Sequence, residues 1–203
     1  MDDFLNERAE KQEHIINAAL NVFGKNGYKK ASLADIADEA KVAKGMINYY
    51  FGSKKNLYLS LIEISGKIMV DEMQLRYDPS ITDFFDNLKM MIGIKIDIIK
   101  EHPAILSFLS SITTETCEEV SGEIKGFLSS GFNARGKMMF DGIDVSGFKD
   151  DVDPKLIDKF LVWAAEGFTG LIQRELDLDK IDEFTVDLYR CLDLMKKYFY
   201  KDK

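Results

Sequence analysis

Residues 32–51 read SLADIADEAKVAKGMINYYF, and the fold is decided by how this stretch divides. Ser32-Leu33-Ala34-Asp35 has the form of a capping box, with Asp in place of the usual Glu, and predicts a helix start. Leu33, Ile36, Ala37 and Ala40 recur at helical spacing and form one apolar stripe. Lys41-Val42 then predicts a short turn, and a further helix covers Ala43 to about Phe51, where Gly52 breaks it. Two helices so joined have helix-turn-helix dimensions. In the second of them Lys44 and Asn48 stand four residues apart on one face, while Ile47 and Phe51 share another.

The residue types on that helix point to nucleic acid. Ala43 and Gly45 are small and let the backbone approach a groove edge, and the free N–H groups of a helix start attract phosphate. Lysine and asparagine, here Lys44 and Asn48, can hydrogen-bond base edges in a major groove. Tyr49, Tyr50, Lys54 and Lys55 carry the groups that commonly meet phosphates. Three adjacent aromatics are more often packing than recognition. The flanking lysines shift that reading for Tyr49 and Tyr50 but leave Phe51 as a packing residue.

Charge agrees with this division. The chain has 203 residues and a net charge of −8, yet residues 24–55 hold seven lysines against three acids, a local +4. A basic patch on an acidic body fits a phosphate-contacting module attached to a domain with another task. A chance cluster of solvated lysines is the plainer alternative. Upstream, Ile15, Ile16, Ala19, Leu20 and Phe23 predict a helix from about Asn6 to Lys25, ended by Asn26-Gly27.

Residues 12–60 resemble the N-terminal domain of the TetR/AcrR family of bacterial repressors. The resemblance is carried by Ile15-Ile16-Asn17-Ala18-Ala19-Leu20-Asn21-Val22-Phe23, Gly27-Tyr28, Ala31 to Ala37, Ala40 to Phe51, and Lys54-Lys55-Asn56-Leu57. It implies that Ser32 meets a backbone phosphate, that Lys44, Gly45 and Asn48 lie near the bases, and that Tyr49, Tyr50 and Lys54 meet phosphates. Asn48 stands where the family often has tyrosine, and Met46 replaces a frequent threonine or serine, so operator choice is affected rather than DNA binding. The resemblance also implies a homodimer whose last two helices pair with their copies.

The rest of the chain predicts helices throughout. Only three prolines occur, at Pro79, Pro103 and Pro154, and no strict alternation argues for a strand. Ser53 can cap a fourth helix to about Arg76. A fifth, 82–101, is apolar around most of its circumference, as a buried helix is. Two more follow at about 104–114 and 116–140. A Gly- and Asp-rich loop, 141–153, leads to helices at about 154–176 and 182–200. The expectation is an all-α chain of about nine helices. Its parts are a helix-turn-helix DNA-binding domain at 1–52 and a helical bundle for effector binding and dimerisation at 53–203.

Within that bundle, Phe85, Leu88, Met91, Ile92, Phe108, Phe127, Met138 and Phe168 are candidates to line a pocket for a small apolar or amphipathic effector. A cationic effector would suit the acidic body, and a well-packed core is the bland reading of the same residues. Trp163, Gly167, Gly170 and Leu171, with Leu188, Leu192 and Met195, are candidates for the dimer interface. Trp163 as a core residue of one subunit is the equal alternative.

An enzyme finds little support. His14 and His102 lie far apart in sequence and near no cysteine, and no Gly-rich phosphate loop, nucleophile elbow or metal-spaced cluster occurs. No catalytic residue, cofactor or metal is expected. Cys117 and Cys191 make no disulfide framework. No apolar run approaches the roughly 18 residues of a membrane span, and MDDFLNERAEKQE is no secretory signal, so the expectation is cytoplasmic without membrane. The partners expected are a double-stranded operator, a second copy of the chain and the effector, and the expected function is a ligand-released transcriptional repressor. A helical protein-interaction module would explain the helices but not the basic Lys44–Lys55 segment.

Overall fold

The computed structural model describes residues 2–172 and 179–202, with side chains described for 9–165 and 181–202. The described residues form nine helices and no strand: α1 (Asp2–Lys30), α2 (Leu33–Ala40), α3 (Lys44–Phe51), α4 (Lys54–Arg76), α5 (Phe84–Glu101), α6 (Pro103–Thr113), α7 (Glu118–Phe140), α8 (Pro154–Ile172) and α9 (Asp179–Phe199). No helix among them is long and apolar enough to cross a membrane. By packing they divide into two compact units, Met1–Asp71 with Glu101–Gly131, and Glu72–Lys100 with Phe132–Lys203.

In the first unit, α1 is the scaffold. Its positions 15, 19 and 23 fall on one face at helical spacing, and Ile15, Ala19 and Phe23 are fully buried. The helix differs from the expectation at its end. Gly27, at φ 69° and ψ 175°, stands where the sequence predicts an end, but it only kinks the helix, and the chain turns helical again as far as Lys30. Buried Tyr28 and Ala31 supply the reason, since that last turn has apolar side chains of its own to bury. Against α1 lie α2 and α6. Gly24 makes the crossing with α6 possible, because a Cβ there would stand 2.6 Å from Ser107 Oγ and 3.1 Å from the Phe108 backbone. Leu57, Tyr58 and Leu61 of α4, Phe108 and Ile112 of α6 and Val120 of α7 complete the core. At its centre Phe23, Tyr58 and Phe108 meet, with Phe23 and Phe108 edge-on to Tyr58 at centroid distances of 4.9 and 5.2 Å.

The second unit packs around Phe84 and Phe85 of α5. Asp83 caps that helix, accepting from the N–H groups of Phe85 and Asp86, both at 3.0 Å. The Gly- and Asp-rich segment before α8 is more than a connector. Its Phe148 is 4 % exposed and packs on Phe84, Phe85 and Tyr200. Backbone bonds pin it on both sides: Asp144 N to Thr82 O at 2.7 Å, Lys149 N to Phe199 O at 2.9 Å, and Lys201 N to Gly147 O at 2.9 Å. Arg135 of α7 forks onto Asp158 of α8 at 3.0 and 2.6 Å, a bidentate pair in which the carboxylate is nearly buried.

Candidate nucleic-acid interface

The helix-turn-helix is built from local chemistry. Ser32 caps α2: its hydroxyl accepts from Asp35 N at 3.1 Å, while Asp35 Oδ2 accepts from Ser32 N at 3.1 Å. The Asp thus fills the box as the usual Glu would. At the other end Lys41 adopts the left-handed conformation, φ 55°, and its N–H turns back to the carbonyls of Ala37 and Asp38. Val42 N closes the same turn on Ala37 O at 3.0 Å. Three residues therefore separate α2 from α3, which starts at Lys44 after an Ala43 that offers no side-chain cap.

Ile47 fixes the rotation of α3. It is fully buried in the first core, with half-buried Met46, Tyr50 and Phe51 packed beside it. The opposite face therefore points away from the core: Ala43, Lys44, Gly45, Asn48 and Tyr49 are all exposed, and Tyr49 is 68 % so. Tyr50 is half-buried and edge-on to Tyr49 at 5.2 Å. Gly45 has open space around it, since a Cβ would meet nothing within 4 Å. Nothing among the described residues demands glycine there.

Three of the predicted contacts have intramolecular roles as well. The Ser32 hydroxyl donates to Asp35 Oδ2 at 2.7 Å, so its proton is already engaged. Lys54 Nζ lies 4.5 Å from the centroid of the Tyr28 ring. Lys55 pairs with Glu123 of α7 at 2.9 Å, and this pairing holds the Glu123 carboxyl below its usual range. Glu115 and Glu119 beside Tyr28, and Glu123 beside Lys55, are neighbours that sequence reading missed. They lie more than 60 positions further on, and only the folded contacts between α1, α4 and α7 reveal them.

The residues expected to line a pocket divide between the two cores. Phe108 and Phe127 belong to the first core, whereas Phe85, Leu88, Met91, Ile92 and Met138 belong to the second. Phe85 and Phe108 are fully buried as packing residues. Phe168 lies outside the residues whose side chains are described. On the candidate dimer face, Trp163 is 55 % exposed, and Leu156 and Phe160 extend its stripe along α8 at 57 % and 56 %. Gly167, Gly170 and Leu171 lie outside the described side chains. On α9, Leu192 is fully buried in its own unit, and half-buried Leu188 and Met195 pack against the same core. The helix shows its exposed apolar side chains at Val186, Leu194 and Tyr198 instead.

Residues 15–61 match the family model described as bacterial regulatory proteins, tetR family. Among curated proteins, the transcriptional repressor NicS of Pseudomonas putida is 32 % identical over 101 residues, covering 49 % of this chain and 47 % of that protein. The first four curated relatives are matched over 31–47 % of their own lengths, so the chain aligns with about half of each or less. Among solved structures, a TetR-like regulator from Rhodococcus sp. RHA1 superposes with a TM-score of 0.69 at 21 % identity, over 91 % of this chain and 94 % of that one. The regulator FadR from Bacillus subtilis, solved with stearoyl-CoA, gives 0.68 at 20 % identity over 91 % and 97 %. The match to the tetR family model thus covers the helix-turn-helix segment, and the fold is shared with solved TetR-type regulators along most of the chain.

Proposed function

We propose that this chain is a sequence-specific DNA-binding transcriptional regulator, a repressor released from its operator by a small effector. The observation that carries the reading is α3, anchored by buried Ile47 and presenting Lys44, Gly45, Asn48 and Tyr49 to solvent on one face. In a major groove, Lys44 and Asn48 read base edges. Tyr49, Tyr50, Lys54 and Lys55 meet the backbone and set the register. Ser32 joins them by exchanging its bond to Asp35 for one to phosphate.

The chain acts as a homodimer on a pseudo-palindromic operator, its two recognition helices about 34 Å apart in successive major grooves. The exposed stripe Leu156, Phe160 and Trp163 on α8 supports a face that a second copy covers. Functionally we divide the chain into a reader at 1–52 and an effector and dimerisation part at 53–203, with α4 leading from one to the other. The effector class that fits is apolar or amphipathic. A long-chain acyl thioester, the kind of ligand held by the Bacillus subtilis neighbour, is the first probe for a thermal-shift screen.

A mobility-shift titration against salt tests the reading. Neutralised phosphates release counterions, so affinity falls steeply with salt, by a slope of about 0.9 for each phosphate met. Lys44→Ala weakens binding while sedimentation still finds dimer. Binding that ignores salt, or a Lys44→Ala protein that binds as the wild type does, contradicts the assignment.

A further inference from the structure

The turn between α6 and α7 carries an acid whose bonds reach across the first unit. A helical N–H donates to the carbonyl four residues back, and Gly27 breaks that pattern within α1. The Tyr28 N–H donates instead to Glu115 Oε2 at 2.7 Å, from 87 positions away in sequence. The other oxygen of that carboxylate accepts from Thr116 N at 2.9 Å and Cys117 N at 2.8 Å. The Cys117 carbonyl in turn accepts from Val120 and Ser121, in the first turn of α7. One carboxylate therefore ties α1 to the start of α7 through three backbone donors. Gly27 leaves room for it, since a Cβ there would stand 3.1 Å from Glu115 Oε2.

What this carboxylate holds is Tyr28. The residue is 3 % exposed, its ring stacked on Phe23 at 6.2 Å and edge-on to Tyr58 at 4.9 Å. Burial first, and then the hydrogen bond to Glu119, raise its hydroxyl well above the ordinary range, so that it stays a neutral donor. Over the face of this ring sits the Lys54 ammonium. A ring face attracts a cation without consuming its N–H donors, so the charge is placed and remains able to bond phosphate.

We propose that Glu115 is a positioning residue for DNA binding: by fixing Tyr28, it sets where Lys54 meets a backbone phosphate. The proposal rests on the DNA reading above. Displacement of the α6–α7 turn then withdraws a phosphate contact without touching α3. Glutamine is no substitute, because its amide offers one oxygen where two accept three donors, and its NH₂ would face an N–H.

The test is a double-mutant cycle read by salt dependence. Fluorescence anisotropy measures the wild type, Glu115→Gln, Lys54→Ala and the double variant on the duplex recovered by selection from random DNA, with melting curves confirming that each is folded. Glu115→Gln is expected to weaken binding about tenfold and to reduce the salt slope by about 0.9, the loss of one phosphate contact. Lys54→Ala does the same, and the double variant is no weaker than Lys54→Ala within about twofold. An unchanged salt slope, or effects that multiply, overturns the proposal, because general loosening of the fold gives that pattern. Should Glu115→Gln fail to fold, Glu119→Gln releases only the hydroxyl end of Tyr28, and the same non-additivity with Lys54→Ala is expected at about a two- to fivefold effect. Wild-type protein that binds no duplex overturns the DNA reading itself, and with it this role of Glu115.

Discussion

At the scale of single residues, Gly45 separates the demands of folding from those of binding. A helical glycine costs up to about 1 kcal/mol relative to alanine, and no atom of the described residues requires one at position 45, in the first turn of α3. Gly45→Ala is therefore expected to leave stability unchanged or raise it by up to about 1 kcal/mol while weakening DNA binding. Denaturant unfolding and anisotropy on the same sample check both halves. Lys55 makes a second case. Its pairing with Glu123 is half-exposed, so breaking it costs little, but phosphate must compete with that carboxylate. Glu123→Gln is expected to tighten binding about two- to fivefold at low salt, with the gain fading as salt is added. A salt titration of both proteins checks it. Lys44, Asn48 and Tyr49 were legible as exposed from their spacing opposite Ile47. The partners of Lys54 and Lys55 were not, because Tyr28 and Glu123 come to them only through the packing of α1 and α7 on α4.

At the scale of elements, caps and breaks were the most legible features. Ser32, Gly52 and Pro154 mark boundaries that the helices keep to within a residue or two. Gly27 was legible as a break but not as a kink, since what resumes the helix is the buried Tyr28 and Ala31 rather than any local signal. The segment before α8 was legible only as a loop. One phenylalanine among glycines and aspartates carries no periodicity, and its burial depends on rings from α5 and the C-terminus. The start of α5 gives a prediction of its own. Burial would raise the Asp83 carboxyl, but its bonds to backbone N–H groups and to Lys196, 2.9 Å away, outweigh that and lower it. A depressed carboxyl contributes stability above its unfolded value of about 3.9 and loses it as pH falls through the folded value. Asp83→Asn keeps an oxygen to cap the helix but gives up the charge. It is expected to destabilise the protein by about 1 kcal/mol near neutral pH, and the gap to wild type should close below about pH 4. Thermal melts across that range read it directly.

For the whole molecule, the all-helical class and a helix-turn-helix N-terminal segment followed from patterns that local sequence carries: capping, period and a +4 cluster in a chain of −8. What local sequence does not carry is which apolar side chains share a core. Phe108 packs with the reader, while Phe85, an equal candidate for the same pocket, packs with α5 and α9. Amphipathic stripes likewise do not say whether a face is covered by its own chain or by a second copy. Leu192 belongs to the first case, and exposed Leu156, Phe160 and Trp163 are what the proposed dimer would cover.

The central claim, sequence-specific DNA reading through α3, is tested most directly by selection from random double-stranded DNA followed by anisotropy on the recovered duplex and on a scrambled duplex of equal length. The account predicts an enriched inverted repeat with half-site centres about 10 base pairs apart, bound at least about 10³-fold more tightly than the scrambled duplex. No enrichment, or equal affinity for both duplexes, contradicts it.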